Sequence, residues 1–116
     1  MAKVGIVGST GRVGNLLIDA LIEETELSLG AVHVFDELKR DLPGEVLVTN
    51  SMKALLENCD VVIDFSAPEA TQELCEEALK NPTPLVIATT GFTEHQQNLM
   101  LEASKEMPLL YASNMS

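Results

Sequence analysis

Short apolar runs alternate along the chain with segments in which apolar residues recur at helical spacing, and no repeat or low-complexity stretch interrupts the alternation. Val4 to Val7, bounded by glycine and too short for a buried helix, reads as a central strand. Beyond the glycines, Val13, Leu16, Leu17, Ala20 and Leu21 fall at i, i+3, i+4, i+7 and i+8, which predicts a helix with that stripe against a sheet. β-Branched and aromatic residues gather from Leu27 to Phe35, a second strand. Asp36 to Gly44 has few apolar residues and ends in Pro43-Gly44, the composition of an exposed loop.

Glu45 to Thr49 is a short third strand, and Ser51 is placed to cap a brief helix carrying Met52, Leu55 and Leu56. The run from Asp60 to Phe65, continuous and β-branched at its centre, predicts a strand buried on both faces. Pro68 suits a first helical turn, where its missing N–H has no intrahelical partner, and Ala70, Leu74, Cys75, Ala78 and Leu79 form the inward stripe. Leu85 to Ala88 is a fifth strand. Thr93 and Gln96 fit a capping box for a helix burying Leu99, Met100, Ala103 and Met107, and Leu109 to Ala112 is a sixth strand. Helices joining successive parallel strands give an α/β fold: a doubly wound, mostly parallel sheet with Rossmann-type dinucleotide-binding topology. Such a sheet binds its ligand at the carboxyl ends of its strands, here Gly8, Phe35-Asp36, Phe65-Ser66, Thr89-Thr90-Gly91 and Ser113-Asn114.

Composition narrows the partners. A chain of 116 residues, 46% of them hydrophobic, is one domain with a core of its own. Eighteen acidic residues against seven basic ones give a net charge of -11, which opposes a nucleic-acid backbone or an anionic membrane, so an anionic ligand has to be held locally. Aromatic residues are only 3% and Trp is absent, too few for a base-stacking platform. Cys59 and Cys75 are too far apart in sequence for a redox pair and lack companions for a zinc site, so both read as reduced, structural residues. The glycine-interrupted start does not resemble a secretory signal, and no apolar run approaches the ~18 residues of a membrane span; the expectation is a soluble, cytoplasmic protein.

Gly8-Ser9-Thr10-Gly11-Arg12-Val13-Gly14 carries the most chemistry, because it follows a strand and opens a helix. Gly8 permits the tight turn, Gly11 lets a pyrophosphate approach the backbone, and Gly14 allows the helix to lie close to the sheet. The helix N-terminus offers free N–H groups and a positive dipole end, and Arg12 adds a charge-assisted contact. An acidic residue ending the second strand is expected to bind the adenosine ribose. Asp36 is the candidate, with Val34 and Phe35 as rivals for the register. With Asp36 in that role NADH is accepted, whereas a 2′-phosphate is repelled unless Lys39 or Arg40 folds back. Phe65, within Asp64-Phe65-Ser66, and the Ala88-Thr89-Thr90-Gly91-Phe92 stretch sit where a nicotinamide ribose or carboxamide would lie; the plain alternative is that Asp64 caps a turn and Thr89-Thr90 belong to a strand. His33 reads as a packed histidine and His95 as a solvated one. Glu69, Glu73, Glu76 and Glu77 read as an acidic helix face. No catalytic triad or metal-ligand cluster is legible, so no residue is assigned a catalytic or metal role.

Taken in order, the Gly8 loop, Asp64-Phe65-Ser66, Thr89-Thr90-Gly91-Phe92 and Asn114-Met115-Ser116 resemble the signature motifs of the 4-hydroxy-tetrahydrodipicolinate reductase (dihydrodipicolinate reductase) family. The resemblance runs the length of the chain and covers that family's amino-terminal, cofactor-binding portion. It implies NADH or NADPH as hydride donor for a cyclic substrate on the diaminopimelate route to lysine. It also implies cofactor contacts at Gly8 to Val13, at Ala88, Thr89 and Thr90, and at Ala112, Ser113, Asn114 and Met115. Two departures stand out. Ala88 replaces the first glycine of the family's G-T-T-G motif and crowds the nicotinamide side, and the family's cofactor-selecting position aligns nearest Val34 and Phe35. By the same resemblance the histidine- and lysine-bearing catalytic motif belongs to a second domain beyond this chain. The small-molecule substrate is then bound mainly there, the parent enzyme is a homotetramer, and residues 1–116 are a dinucleotide-binding domain inactive alone. A different class of function, a stand-alone nucleotide-binding or NAD(H)-sensing module, fits the same glycine loop; another two-domain dehydrogenase is disfavoured by the joint order of the later motifs.

Overall fold

The computed structural model describes residues 2–8, 12–35 and 41–112. Among them the elements run β1 (Ala2–Val7), α1 (Arg12–Glu23), β2 (Leu27–His33), β3 (Leu47–Thr49), α2 (Met52–Glu57), β4 (Val61–Asp64), α3 (Pro68–Lys80), β5 (Leu85–Ile87), α4 (Glu94–Glu106) and β6 (Leu109–Tyr111). The strands form one parallel sheet in the order β3-β2-β1-β4-β5-β6. That is the doubly wound order, in which the chain reverses direction across the sheet between β1 and β4.

Local chemistry places the helix starts as the sequence predicts. Ser51 Oγ accepts from the Ala54 N–H at the head of α2. The reciprocal Thr93–Gln96 box closes the head of α4, and Pro68 opens α3. Strand alternation then divides the core. Val4, Ile6, Leu29 and Val32 pack with Ile18 and Leu21 of α1 on one face, while Val7, Ala31, Val62, Leu85 and Ile87 pack with α2, α3 and α4 on the other.

Several boundaries differ from the sequence reading. β2 ends at His33 rather than Phe35, β3 begins at Leu47 rather than Glu45, and β4 loses one residue at each end. Ala88 and Ala112 fall one residue past β5 and β6, each still joined to the neighbouring strand by its N–H. Gly30 has no partner on β1, since the register steps from Val4↔Leu29 to Gly5↔Ala31. A Cβ at Gly30 would sit 2.9 Å from the Asn58 carbonyl oxygen and 3.0 Å from Lys3 Cβ, so this bulge needs glycine.

The inward face of α1 is the largest correction. Gly14, Ile18 and Leu21 are buried, whereas Val13, Leu16 and Ala20 are exposed, Leu16 at 63%. Two stripes overlap on this helix, and a count of apolar side chains favours the wrong one because it gives glycine no weight. The helix is turned so that Gly14, which has no side chain, is buried on the same face as Ile18 and Leu21. β4 is likewise fully buried on one face only: Val62 and Asp64 face α3, while Val61 and Ile63 are half-covered beside α1.

Gly5, in the middle of β1, abuts the segment after α2: an added Cβ would lie 2.6 Å from Cys59 Sγ and 3.2 Å from Leu55 Cδ1. Gly5→Ala is expected to cost about 1–3 kcal/mol of unfolding free energy in denaturant titrations. In the Gly5→Ala/Cys59→Ala pair the two costs should be less than additive, because removing Sγ frees the space. Full additivity would show that the clash is relieved elsewhere.

Candidate functional site

The register aligns the carboxyl ends of the strands. Thr49, His33, Val7, Asp64, Ile87 and Tyr111 are successive partners across the sheet. One step further lie Asn50, Val34, Gly8, Phe65, Ala88 and Ala112. Backbone bonds extend the ladder into this row: Val34 N–H to Thr49 O, Phe65 N–H to Val7 O, Ala88 N–H to Asp64 O and Ala112 N–H to Ile87 O, each 2.9 Å. Gly8, Phe65, Ala88 and Ala112, four residues singled out by sequence in four separate segments, therefore form one line.

The centre of the line is the reversal point between β1 and β4. Gly8 has φ +92, and a Cβ there would collide with the Phe65 carbonyl. Gly8, Ala88 and Ala112 bring almost no side chain to this edge, and together with Phe65 each is half-buried. Arg12 and Val13, the first residues of α1, are exposed beside it. The first turn of α1 contains no acidic residue, whereas α3 and α4 begin with Glu69 and Glu94. Its positive dipole end is thus uncompensated by a carboxylate of its own first turn, which favours an anion there.

Below the line lies a polar knot around Asp64, a residue for which the sequence offers a place in a nicotinamide-side motif or, as the plain alternative, the cap of a turn. Asp64 is fully buried. Its Oδ1 accepts from the Ser66 N–H (2.9 Å) and from the Ser66 hydroxyl, and its Oδ2 accepts from the Thr71 hydroxyl in the first turn of α3. The Ser66 N–H is shared with Thr89 Oγ1 at 3.1 Å. Thr89 is buried, so its hydroxyl faces this knot, while Thr90 and Gly91 are exposed and Gly91 takes φ +87. Burial raises the Asp64 carboxyl above its usual 3.8, and the hydrogen bonds from Ser66, Thr71 and Thr89 offset part of that rise. The legible signal was an acid closing an apolar strand with Ser two residues on and Thr seven on, at the start of a helix.

At the β2 end, Val34 is buried and Phe35 is 62% exposed, its ring edge against His33 at 4.9 Å between centroids. His33 is buried, donates from Nε2 to Asn50 O at 3.2 Å, and has its pKa lowered by desolvation. His95 is exposed. Cys59 and Cys75 are free thiols pushed by burial up to about 11 and about 12. Ser9, Thr10, Gly11, Asp36, Lys39, Arg40, Ser113, Asn114 and Met115 lie outside the described residues. Among the described residues no His, Cys, Asp and Glu group is placed to hold a metal, and no helix is long and apolar enough to cross a membrane.

Residues 2–115 match the family model described as dihydrodipicolinate reductase, N-terminus. The chain belongs to this family. Within the dihydrodipicolinate reductase group, a 4-hydroxy-tetrahydrodipicolinate reductase of Sulfurovum sp. (strain NBC37-1) is 73% identical over 116 residues. One of Aliarcobacter butzleri (strain RM4018) is 56% identical over 118 residues. Each match takes in 100% of this chain and 46% of the relative, so the chain spans about half the length of these curated relatives. The dipicolinate-bound dihydrodipicolinate reductase from Paenisporosarcina sp. TG-14 superposes with a TM-score of 0.83 at 25% identity, over 98% of this chain and 48% of that one. The dihydrodipicolinate reductase fold thus agrees with the α/β sheet read from the sequence.

Because burial raises the folded-state pKa of Asp64, its contribution to stability is complete below the unfolded pKa, near 3.9, and is lost as pH rises through the folded value. Asp64→Asn keeps an acceptor for Ser66 and removes this titration. Unfolding free energies measured from pH 4 upward are therefore expected to fall for the natural chain relative to Asp64→Asn. Parallel profiles would contradict the assignment.

Proposed function

We propose that this chain is the NADH- or NADPH-binding part of a 4-hydroxy-tetrahydrodipicolinate reductase, an oxidoreductase of the diaminopimelate route to lysine. The observation that carries the reading is the line Gly8–Phe65–Ala88–Ala112 at the reversal point of the sheet, three of its four residues nearly without side chain, in a fold whose α1 begins with no acidic residue in its first turn. A dinucleotide fits this edge. At Gly8 a side chain would be driven into the Phe65 carbonyl, so the turn keeps its path only with glycine. The local dipole explains how a chain of charge -11 can hold a pyrophosphate.

In this reading Gly8, Ser9, Thr10, Gly11, Arg12 and Val13 hold the pyrophosphate. Ala88, Thr89 and Thr90, with Ala112, Ser113, Asn114 and Met115, border the nicotinamide, and Phe65 lies between the two groups. Thr89 acts from below, through its bond to the Ser66 N–H, and Thr90 is the exposed hydroxyl of the pair. Of the positions weighed for the ribose, Val34 faces the core, which leaves Phe35 and Asp36. When bound, the nicotinamide supplies a hydride. The chain's own residues bind and orient the cofactor, and His33, buried against Asn50 and Phe35, is in no position to act as a proton donor to a substrate. Substrate binding and protonation are assigned to the remaining half of the longer relatives, and assembly into a tetramer to that half as well.

Titration of the chain with NADH, followed by nicotinamide fluorescence, is expected to saturate. Gly8→Ala should weaken binding by tenfold or more while circular dichroism reports a folded protein. Tight NADPH binding with no measurable NADH binding would overturn the role given to Asp36. Mixed with NADH and 4-hydroxy-tetrahydrodipicolinate, the chain should show no sustained loss of nicotinamide absorbance; turnover would overturn the assignment of catalysis to the other half.

A further inference from the structure

We propose that Asp64 is a positioning residue for the dinucleotide: its carboxylate holds Phe65 and Ser66 in place against Gly8 at the end of β1. The proposal rests on the dinucleotide reading above and adds to it a residue that touches no cofactor. Phe65 and Ser66 are the first residues beyond β4, and the sheet ladder grips only the first of them, through its N–H to Val7 O at 2.9 Å. Past that bond no ladder bond among the described residues fixes where the Phe65 carbonyl points. Yet that carbonyl is the group a Cβ on Gly8 would strike, and the Ser66 nitrogen would lie 3.1 Å from the same Cβ. Gly8 and the Phe65–Ser66 turn are in contact at the reversal point, so a change in the course of Phe65–Ser66 is felt at Gly8 directly.

The carboxylate supplies what the ladder does not. Oδ1 takes both the N–H and the hydroxyl of Ser66, and Oδ2 takes the Thr71 hydroxyl, so the loop is tied at one end to β4 and at the other to the first turn of α3. The N-cap of α3 is Ala67, which makes no side-chain cap bond. Asp64, three residues earlier, is therefore the side-chain acceptor that anchors this end of the helix. Thr89 Oγ1 shares the Ser66 N–H at 3.1 Å and joins the β5 end to the same point. Three strand ends, those of β1, β4 and β5, thus converge on one loop governed by one carboxylate.

A group with this role and a merely stabilising group predict different variant behaviour. Asp64→Ala, which releases Ser66, is expected to raise the NADH dissociation constant about tenfold or more at a temperature where the chain is fully folded. Asp64→Asn retains an oxygen for the Ser66 N–H and should bind within about threefold of the natural chain. Thr71→Val loosens the α3 side of the knot but leaves the Ser66 grip. It should lower the unfolding midpoint with little change in NADH affinity, so that affinity follows the grip on Ser66 and not stability. If Asp64→Ala does not fold, Ser66→Ala carries the test, with a weakening of about threefold or more expected. A folded Asp64→Ala that binds NADH like the natural chain overturns the proposal. So does an unchanged Ser66→Ala, or a Thr71→Val that loses affinity as much as Asp64→Ala. Failure of the natural chain itself to bind NADH or NADPH is a separate result that overturns the dinucleotide reading, and the role of Asp64 with it.

Discussion

Between the α-carbon of Gly8 and the carbonyl of Phe65 there is no room for another atom. β1 and β4 are adjacent and parallel, yet their following segments leave in different directions, one to α1 and the other to α3. The two exits must pass each other at contact distance, and the chain meets that demand with a glycine at φ +92 on one side and a hydrogen-bonded turn on the other. Everything that makes the edge a candidate site follows from the close passage. α1 begins four residues after Gly8, and three of the four residues in the row of strand ends carry almost no side chain.

The polar interior below that row is unusual for its setting. The core is mostly aliphatic, with Ile6, Leu55, Leu74 and Ile87 fully or almost fully buried around the strands and His33, Thr83 and Gln96 the buried polar residues outside the Asp64 knot among those described. Among the described residues Asp64 enters it without a cationic partner, and its oxygens accept from hydroxyls and an N–H. A carboxyl so placed contributes less to stability than an apolar side chain of similar volume would, because its charged form is desolvated. Its value lies in direction: hydrogen bonds fix orientation, which dispersion contacts do not.

How much of this was legible in the sequence varies with the kind of signal. Helix starts were readable because capping is local: Ser51, Pro68 and the Thr93–Gln96 box act within a few residues of themselves. Strand ends were not, since the pairing that ends β2 at His33 and β5 at Ile87 depends on neighbours distant in sequence. The inward face of α1 was misread because Gly14 is silent in any count of apolar residues, although the same glycine had been assigned a close-packing role from its motif. Asp64 was readable as part of a nicotinamide-side motif or as the cap of a turn; that its carboxylate also meets Thr71 and shares its partner with Thr89 required the tertiary arrangement.

By itself the sequence determined the α/β class, the sheet-and-helix order and the glycine turn, because each is written in short-range periodicity, capping and backbone freedom. Its ordered motifs also pointed to the family. The tertiary structure decided that Gly8, Phe65, Ala88 and Ala112 share one line, since parallel register relates segments that are far apart in the chain. It also decided which face of α1 is buried and what a buried carboxylate holds in place, for both depend on where neighbouring backbone comes within contact distance.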